Sequence, residues 1–282
     1  MFLMMALLFV LSLAMGIVAV IAGVGGGVLF VPLVALLFPV HIDFIRGAGL
    51  LVALAGSMSA APSLLTQRLS RLKIAVPMAL FGSIGSILGA RFGLSLSAEA
   101  ITLWLGVFMI AVAVITLLQG RVASRSEVRR DEKVPQGFLA RRWEMEGAYR
   151  DLRTEEVIHW QGHRVPVAMI SFIGVGFIGG VFGVGAGWAN VPVLTLLMGL
   201  PLKLAAATSG LIIIVNSASA LSVYLAHGAV EPTVAVPAIL GMVIGTRIGA
   251  RLLGRLKPVV VRVAVITVLL AAGVRTLLGG AG

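Results

Sequence analysis

Two short glycine-rich strings carry the first chemical signal in the chain. Residues 23–34 read GVGGGVLFVPLV and residues 183–194 read GVGAGWANVPVL. Glycine lets a backbone turn sharply and leaves its N–H groups uncovered, and the first N–H groups of a helix have no partner inside it. Gly25, Gly26 and Gly27, with Gly185, Ala186 and Gly187, are therefore candidate donors to an anion. The second signal is polar side chains inside apolar stretches. Ser57 and Ser59 form one cluster and Asn216 and Ser217 another, with Thr208 and Ser209 earlier in the second stretch. Trp188 and Asn190 follow the second glycine string, the indole as a candidate cap over a bound solute. Neutral N–H and O–H donors of this kind suit a small anionic substrate. Arg247, Arg251 and Arg255 make an i, i+4, i+8 stripe that reads as an anion vestibule.

Plainer roles stand beside each of these. Glycines also permit close helix packing, serines bond their own helix, and an arginine can snorkel to the headgroups. The ridges Gly85/Gly89/Gly93 and Gly241/Gly245/Gly249 are read mainly as packing seams.

What is missing narrows the chemistry. The chain has no cysteine, its four histidines lack metal-ligand spacing, and no Ser/His/Asp or HExxH arrangement occurs. No Asp or Glu lies deep in an apolar segment, which argues against a cation pump and leaves Asp43, His227 and Glu231 as proton-relay candidates near segment ends. The string Gly174–Gly179 matches GxGxxG but sits in an apolar segment with no acidic residue before Glu231, so it is no dinucleotide site. The expectation is no enzyme, no cofactor and no metal.

The elements that must position these residues are membrane helices. Of 282 residues, 59% are hydrophobic and 12% charged, with a mean hydropathy of +1.09. Stretches near the ~20 residues needed to cross a bilayer cover about Phe2–Ala22, Gly47–Thr66, Ile74–Leu94, Ile101–Leu118, Val167–Phe182, Ala205–Ala226, Thr233–Leu253 and Val259–Leu278. Residues 121–165 hold ten of the 22 Lys/Arg and eight of the 11 Asp/Glu, and read as a solvated linker with some amphipathic helix. The net charge of +11 flanks membrane segments and suits anionic lipid, not nucleic acid.

The halves repeat. The two glycine strings share six of twelve positions at an offset of 160. The same gapless offset pairs Ser57 with Ser217, Pro77 with Pro237, and Gly85–Arg91 with Gly245–Arg251. Four spans per half would make the repeats parallel. A short arm after each glycine string (Val28–Phe38 and Trp188–Leu197) would invert them. In the second arrangement one side collects Arg68, Arg71, Lys73, the linker cations, Lys203, Arg251, Arg255 and Lys257, against Arg46, Arg91 and Arg275 on the other. The positive-inside rule favours that inverted arrangement. The expected fold is an all-α integral membrane protein of two inverted repeats, each of about four full helices plus a glycine-broken short arm. Its parts are residues 1–120, the cytoplasmic linker 121–165, and residues 166–282.

At GVGGGxLxVP (Gly23–Pro32), GVGAGxxxVP (Gly183–Pro192), Ala206–Gly210 and the two GxxxGAR ends, the chain resembles the TauE/SafE family of sulfite exporters and related anion permeases. The second glycine motif departs from it at Ala186, and the linker is longer and more charged. The resemblance implies movement of sulfite, sulfonates or related oxyanions across a bacterial inner membrane without ATP. An anion channel of the same architecture, and a non-transporting membrane scaffold acting through 121–165, stay open as alternatives, as does a homo-oligomer. The charge asymmetry predicts that reporter fusions at Gly282 and inside 121–165 report opposite sides of the membrane. Matching signals would exclude the inverted arrangement.

Overall fold

A computed structural model of the chain describes residues 2–22, 26–66, 72–126, 146–150, 157–252 and 258–279. Gly25, Arg68, Arg71, Arg255, Lys257 and the linker residues 127–145 and 151–156 lie outside the described residues. Helices α1 (Phe2–Ala22), α2 (Gly26–Leu37), α3 (Ile42–Thr66), α4 (Leu72–Ser95) and α5 (Ala98–Ser126) come first. A two-stranded ribbon follows, β1 (Glu146–Arg150) and β2 (Val157–Gln161). Then come α6 (Val165–Phe182), α7 (Gly187–Pro192) with a π-helical turn over Val193–Leu197, α8 (Leu202–Ala226), α9 (Pro232–Leu252) and α10 (Pro258–Gly279). Among the described residues seven helices are long and apolar enough to cross a membrane, and they match seven of the eight expected spans; the eighth, Val259–Leu278, falls on α10, whose described apolar stretch Val265–Leu278 is shorter. Gly26–Leu37 and Gly187–Leu197 are the two short arms.

Glycine decides which helices touch. A Cβ on Gly85 or Gly89 of α4 would overlap the backbone of Ile173 or Phe177 of α6. A Cβ on Gly245 or Gly249 of α9 would meet Leu13 or Ile17 of α1 in the same way. These contacts repeat at the 160-residue offset, so the ridges are packing seams and each joins a helix of one half to a helix of the other. Without side chains between them the backbones approach closely, which favours association where apolar burial gives nothing. Contact order within the seams also gives direction. Gly82 meets Gly176 and Gly93 meets Val181, so α4 and α6 run the same way, and Gly241 with Phe9 and Gly249 with Ile17 do the same for α9 and α1.

Helix α3 runs against α8. Gly47 faces Ala229 just beyond the end of α8, while Ala53 and Ser217 face one another across Gly185. Helix α2 folds back along α3, with Gly27 beside Ala53 and Val31 beside Gly49. Since Gly26–Gly27 reach only the middle of α3, the arm stops inside the bundle.

The linker differs from its expected character. Helix α5 carries on past residue 120 to Ser126, and 146–161 holds a β-ribbon whose register runs from Glu146 opposite Gln161 to Arg150 opposite Val157. Val157, Ile158 and Trp160 are residue types that favour strands. Trp160 is buried in a cluster with Ile74, Met78 and Leu204, so the ribbon packs on the ends of α4 and α8. The His163 backbone N–H donates to the Met198 carbonyl at 3.0 Å, tying the ribbon's end to the turn after α7.

The seams predict a sharp contrast between two glycines. Gly85→Ala must push α4 from the α6 backbone, a strain of about 1–3 kcal/mol, and should lower the thermal midpoint in detergent. Gly174→Ala, whose added carbon meets nothing within 4 Å, should leave the midpoint unchanged or raise it. Equal effects would show that the seams do not hold the bundle together.

Candidate functional site

The loop between α6 and α7 is built on two left-handed glycines, Gly183 at φ 68° and Gly185 at φ 69°. Side chains rarely adopt such angles. The Gly183 N–H closes α6 by donating to the Gly179 carbonyl, and the Val184 N–H reaches the same oxygen at 3.2 Å. The loop then lies between α3 and α8. A Cβ on Gly49 would overlap the Gly183 carbonyl, and one on Gly27 would overlap that of Val184. A Cβ on Gly185 would stand 3.1 Å from both the Ala53 Cβ and the Ser217 Oγ. The two glycine strings therefore meet in the interior, Gly27 of the first against Val184 of the second.

Around this point lie polar side chains with nothing to bond. Asn190 and Ser217 are 0% exposed and Asn216 1%. The amide nitrogen and oxygen of both asparagines, and the Ser217 hydroxyl, have no hydrogen-bond partner among the described residues. A buried polar group left unpaired costs about 1–3 kcal/mol. Three such residues in one region call for a role other than packing.

The Asn216 site shows how the repeat diverged. Its amide fills the space over Gly82, which has no side chain. The repeat mates of Asn216 and Gly82 are Gly56 and Met242, and there the methionine fills the space over the glycine. One of these two repeat-related helix pairs, α8 on α4, thus holds an amide where the other, α9 on α3, holds a thioether. Gly26 also packs against the Met242 side chain, which keeps the first arm apolar.

The remaining candidates are distributed as follows. Ala186 is buried at the N-cap of α7, and Gly187 is buried at its first turn. Thr208 and Ser209 are buried on α8, Ser209 two turns before Asn216. Ser57 is half-buried on α3, and Ser59 donates to the Val243 carbonyl at 3.4 Å. Ser219, by contrast, bonds the Val215 carbonyl of its own helix at 2.9 Å. Trp188 is packed edge to face on Phe108 at 5.2 Å, and its buried indole N–H has no partner among the described residues. Arg247 is not brought to the centre. It continues the exposed stripe Val236, Leu240, Ile244 on the outer face of α9, where its long side chain can reach the headgroups.

One residue escaped the sequence reading. Arg46, counted there as a flanking cation, is 1% exposed. Its Nη1 donates to Asp43 Oδ1 at 2.7 Å, and its guanidinium lies over the Tyr224 ring at 5.3 Å. The Tyr224 hydroxyl donates to the Gly180 carbonyl at 3.0 Å, so the ring is held in place. Nothing in the sequence marks Arg46 as buried except its place one turn inside α3, four residues before Leu50 on an apolar face.

Fold and centre together define a multi-pass helical membrane protein with a polar core enclosed between two glycine motifs. The chain belongs to the sulfite exporter TauE/SafE family, whose match covers residues 8–276. It is also similar to the "Probable membrane transporter protein YunE" of Bacillus subtilis (strain 168), with 28% identity over 251 residues that cover 86% of each chain. No solved structure matches it. Membership of this family of membrane transporters supports a transport role.

The loop geometry generates its own expectation. Gly185→Val places a β-branched side chain at a left-handed φ and against Ser217. The variant should still insert and be recovered as folded protein, yet show no transport in proteoliposomes. Parental transport would reduce the loop to a packing device.

Proposed function

We propose that the protein is a secondary carrier, working as an exporter, for a small sulfur-containing oxyanion such as sulfite or an organosulfonate. The observation that carries this reading is the pair Asn216–Ser217, buried and without a hydrogen-bond partner among the described residues, with Ser217 beside the left-handed Gly185 and Asn216 over Gly82. N–H and O–H groups of this kind hold a charged acceptor without a counter-charge, which lets the anion leave again. No Asp or Glu is among the described buried residues, so no carboxylate charge opposes an anion at this centre. The family's description names sulfite, and that is the source of the substrate class.

The carrier would work by two inverted halves rocking about the centre. Support comes from helix direction: α3 and α8 are repeat mates and run oppositely, and each glycine seam joins the halves with parallel helices. Two broken arms meeting inside the bundle are the arrangement that places a transporter's site between such repeats. With the linker cations on the cytoplasmic side, both termini would be extracytoplasmic and the membrane would be the bacterial inner membrane.

Binding and stability should separate at this site. Loss of one hydrogen bond to a charged acceptor, about 1.5–3 kcal/mol, weakens binding by roughly ten- to a hundredfold. An Asn216→Ala, Ser217→Ala double variant should therefore lose measurable sulfite binding in calorimetry. It should keep or raise the parent's thermal midpoint, because it removes buried groups that have no partner. Parental affinity in this variant would move the site elsewhere. Counterflow of labelled sulfite into proteoliposomes identifies a carrier, and single-channel currents would overturn that mechanism.

A further inference from the structure

Arg46 stands where three helices end, at the membrane face opposite the linker. Gly93 near the end of α4 faces its Nη2, Gly183 just beyond α6 lies against its backbone, and Tyr224 near the end of α8 lies under the guanidinium. Nη1 is bonded to Asp43, but Nε and Nη2 are buried and have no partner among the described residues. Those two N–H groups are one side of a rigid planar fork, the edge that takes two oxygens of an oxyanion side by side. We propose that this edge is a second oxyanion site, which receives the anion on the path between the centre and the face opposite the linker. The substrate class rests on the oxyanion reading above; the site itself rests on Arg46.

The route inward is short. Asp43, 28% exposed, covers the outer corner of the guanidinium. Along α3, Gly49 then faces the Gly183 carbonyl and Ala53 faces Gly185, which in turn faces the Ser217 hydroxyl. Arg46 and Ala53 are separated by about 10 Å of helix rise. An anion leaving the fork is thus one step from the central donors. Asp43 competes for the same guanidinium, so the site can capture an anion without trapping it.

A plainer role is that Arg46 neutralises the carbonyl ends of α4, α6 and α8. That role needs one positive charge and would be met equally by lysine. It makes no use of the planar Nε–Nη2 edge, whose two donors have no hydrogen-bond partner among the described residues.

The test uses the purified full chain, titrated with sulfite and with methanesulfonate and assayed for sulfite flux in proteoliposomes. Arg46→Lys keeps the charge and removes the fork; it should raise the half-saturating sulfite concentration about tenfold or more. Asp43→Asn removes the competitor and should lower that concentration about threefold. Opposite signs are the signature, since a purely structural ion pair would weaken both variants or neither. Parental half-saturation in Arg46→Lys overturns the proposal. If Arg46→Lys does not fold, Asp43→Asn decides alone, and unchanged or weaker binding overturns it. Failure of the two readings is distinguishable. A parent that binds neither anion removes both, whereas loss of binding in the Asn216/Ser217 double variant with parental behaviour in both Arg46→Lys and Asp43→Asn removes only the Arg46 site.

Discussion

Close backbone contact across two glycine seams is the interaction on which everything else rests. In hydrocarbon a helix gains nothing by hiding its apolar side chains from lipid, so association depends on how near two backbones can come. Gly85 and Gly89 bring α4 onto α6, and Gly245 and Gly249 bring α9 onto α1. Because each seam crosses from one half of the chain to the other, the halves interlock instead of forming separate bodies. That interlocking carries the loop after α6 between α3 and α8, and it brings the first arm's Gly27 against Val184.

The seams make the interior dry, and dryness gives its few polar groups their weight. Asn190, Asn216 and Ser217 have lost water and gained no protein partner among the described residues. Arg46 has done so on one edge only, with Asp43 and Tyr224 holding the rest. Neutral donors at the centre and the buried Arg46 nearer one face differ in kind. The first can recognise an anion, and the second can attract it.

Much of this was legible in the sequence. Span lengths follow from bilayer thickness, and the arms from glycine strings that interrupt apolar runs. The seams follow from glycine at four-residue spacing. Asn216 and Ser217 stand out because they belong to a polar cluster that pairs with Ser57 and Ser59 at the 160-residue offset. Other features need the packing itself. Arg46 reads as a flanking charge because sequence position does not reveal that α3 starts beneath the loop after α8. Arg247 was grouped with a vestibule because one sequence does not fix which face of α9 turns outward. The ribbon was hidden by the charge of its surroundings, and the Asn216–Gly82 pairing joins two elements that no periodicity links.

The exchange of Asn216 over Gly82 for Met242 over Gly56 has a consequence for the cycle of such a molecule. In a chain with two identical halves, swapping their roles would leave the energy unchanged, and the two end states would be equally populated by symmetry. Here one of the two repeat-related helix pairs holds an amide where the other holds a thioether, so in the proposed carrier that degeneracy would be lifted. A carrier of the kind proposed above would, when empty, rest unequally between its two shapes. In such a carrier a mutation at the Met242–Gly56 pair, away from Asn216, would alter how long the protein waits on each side of the membrane.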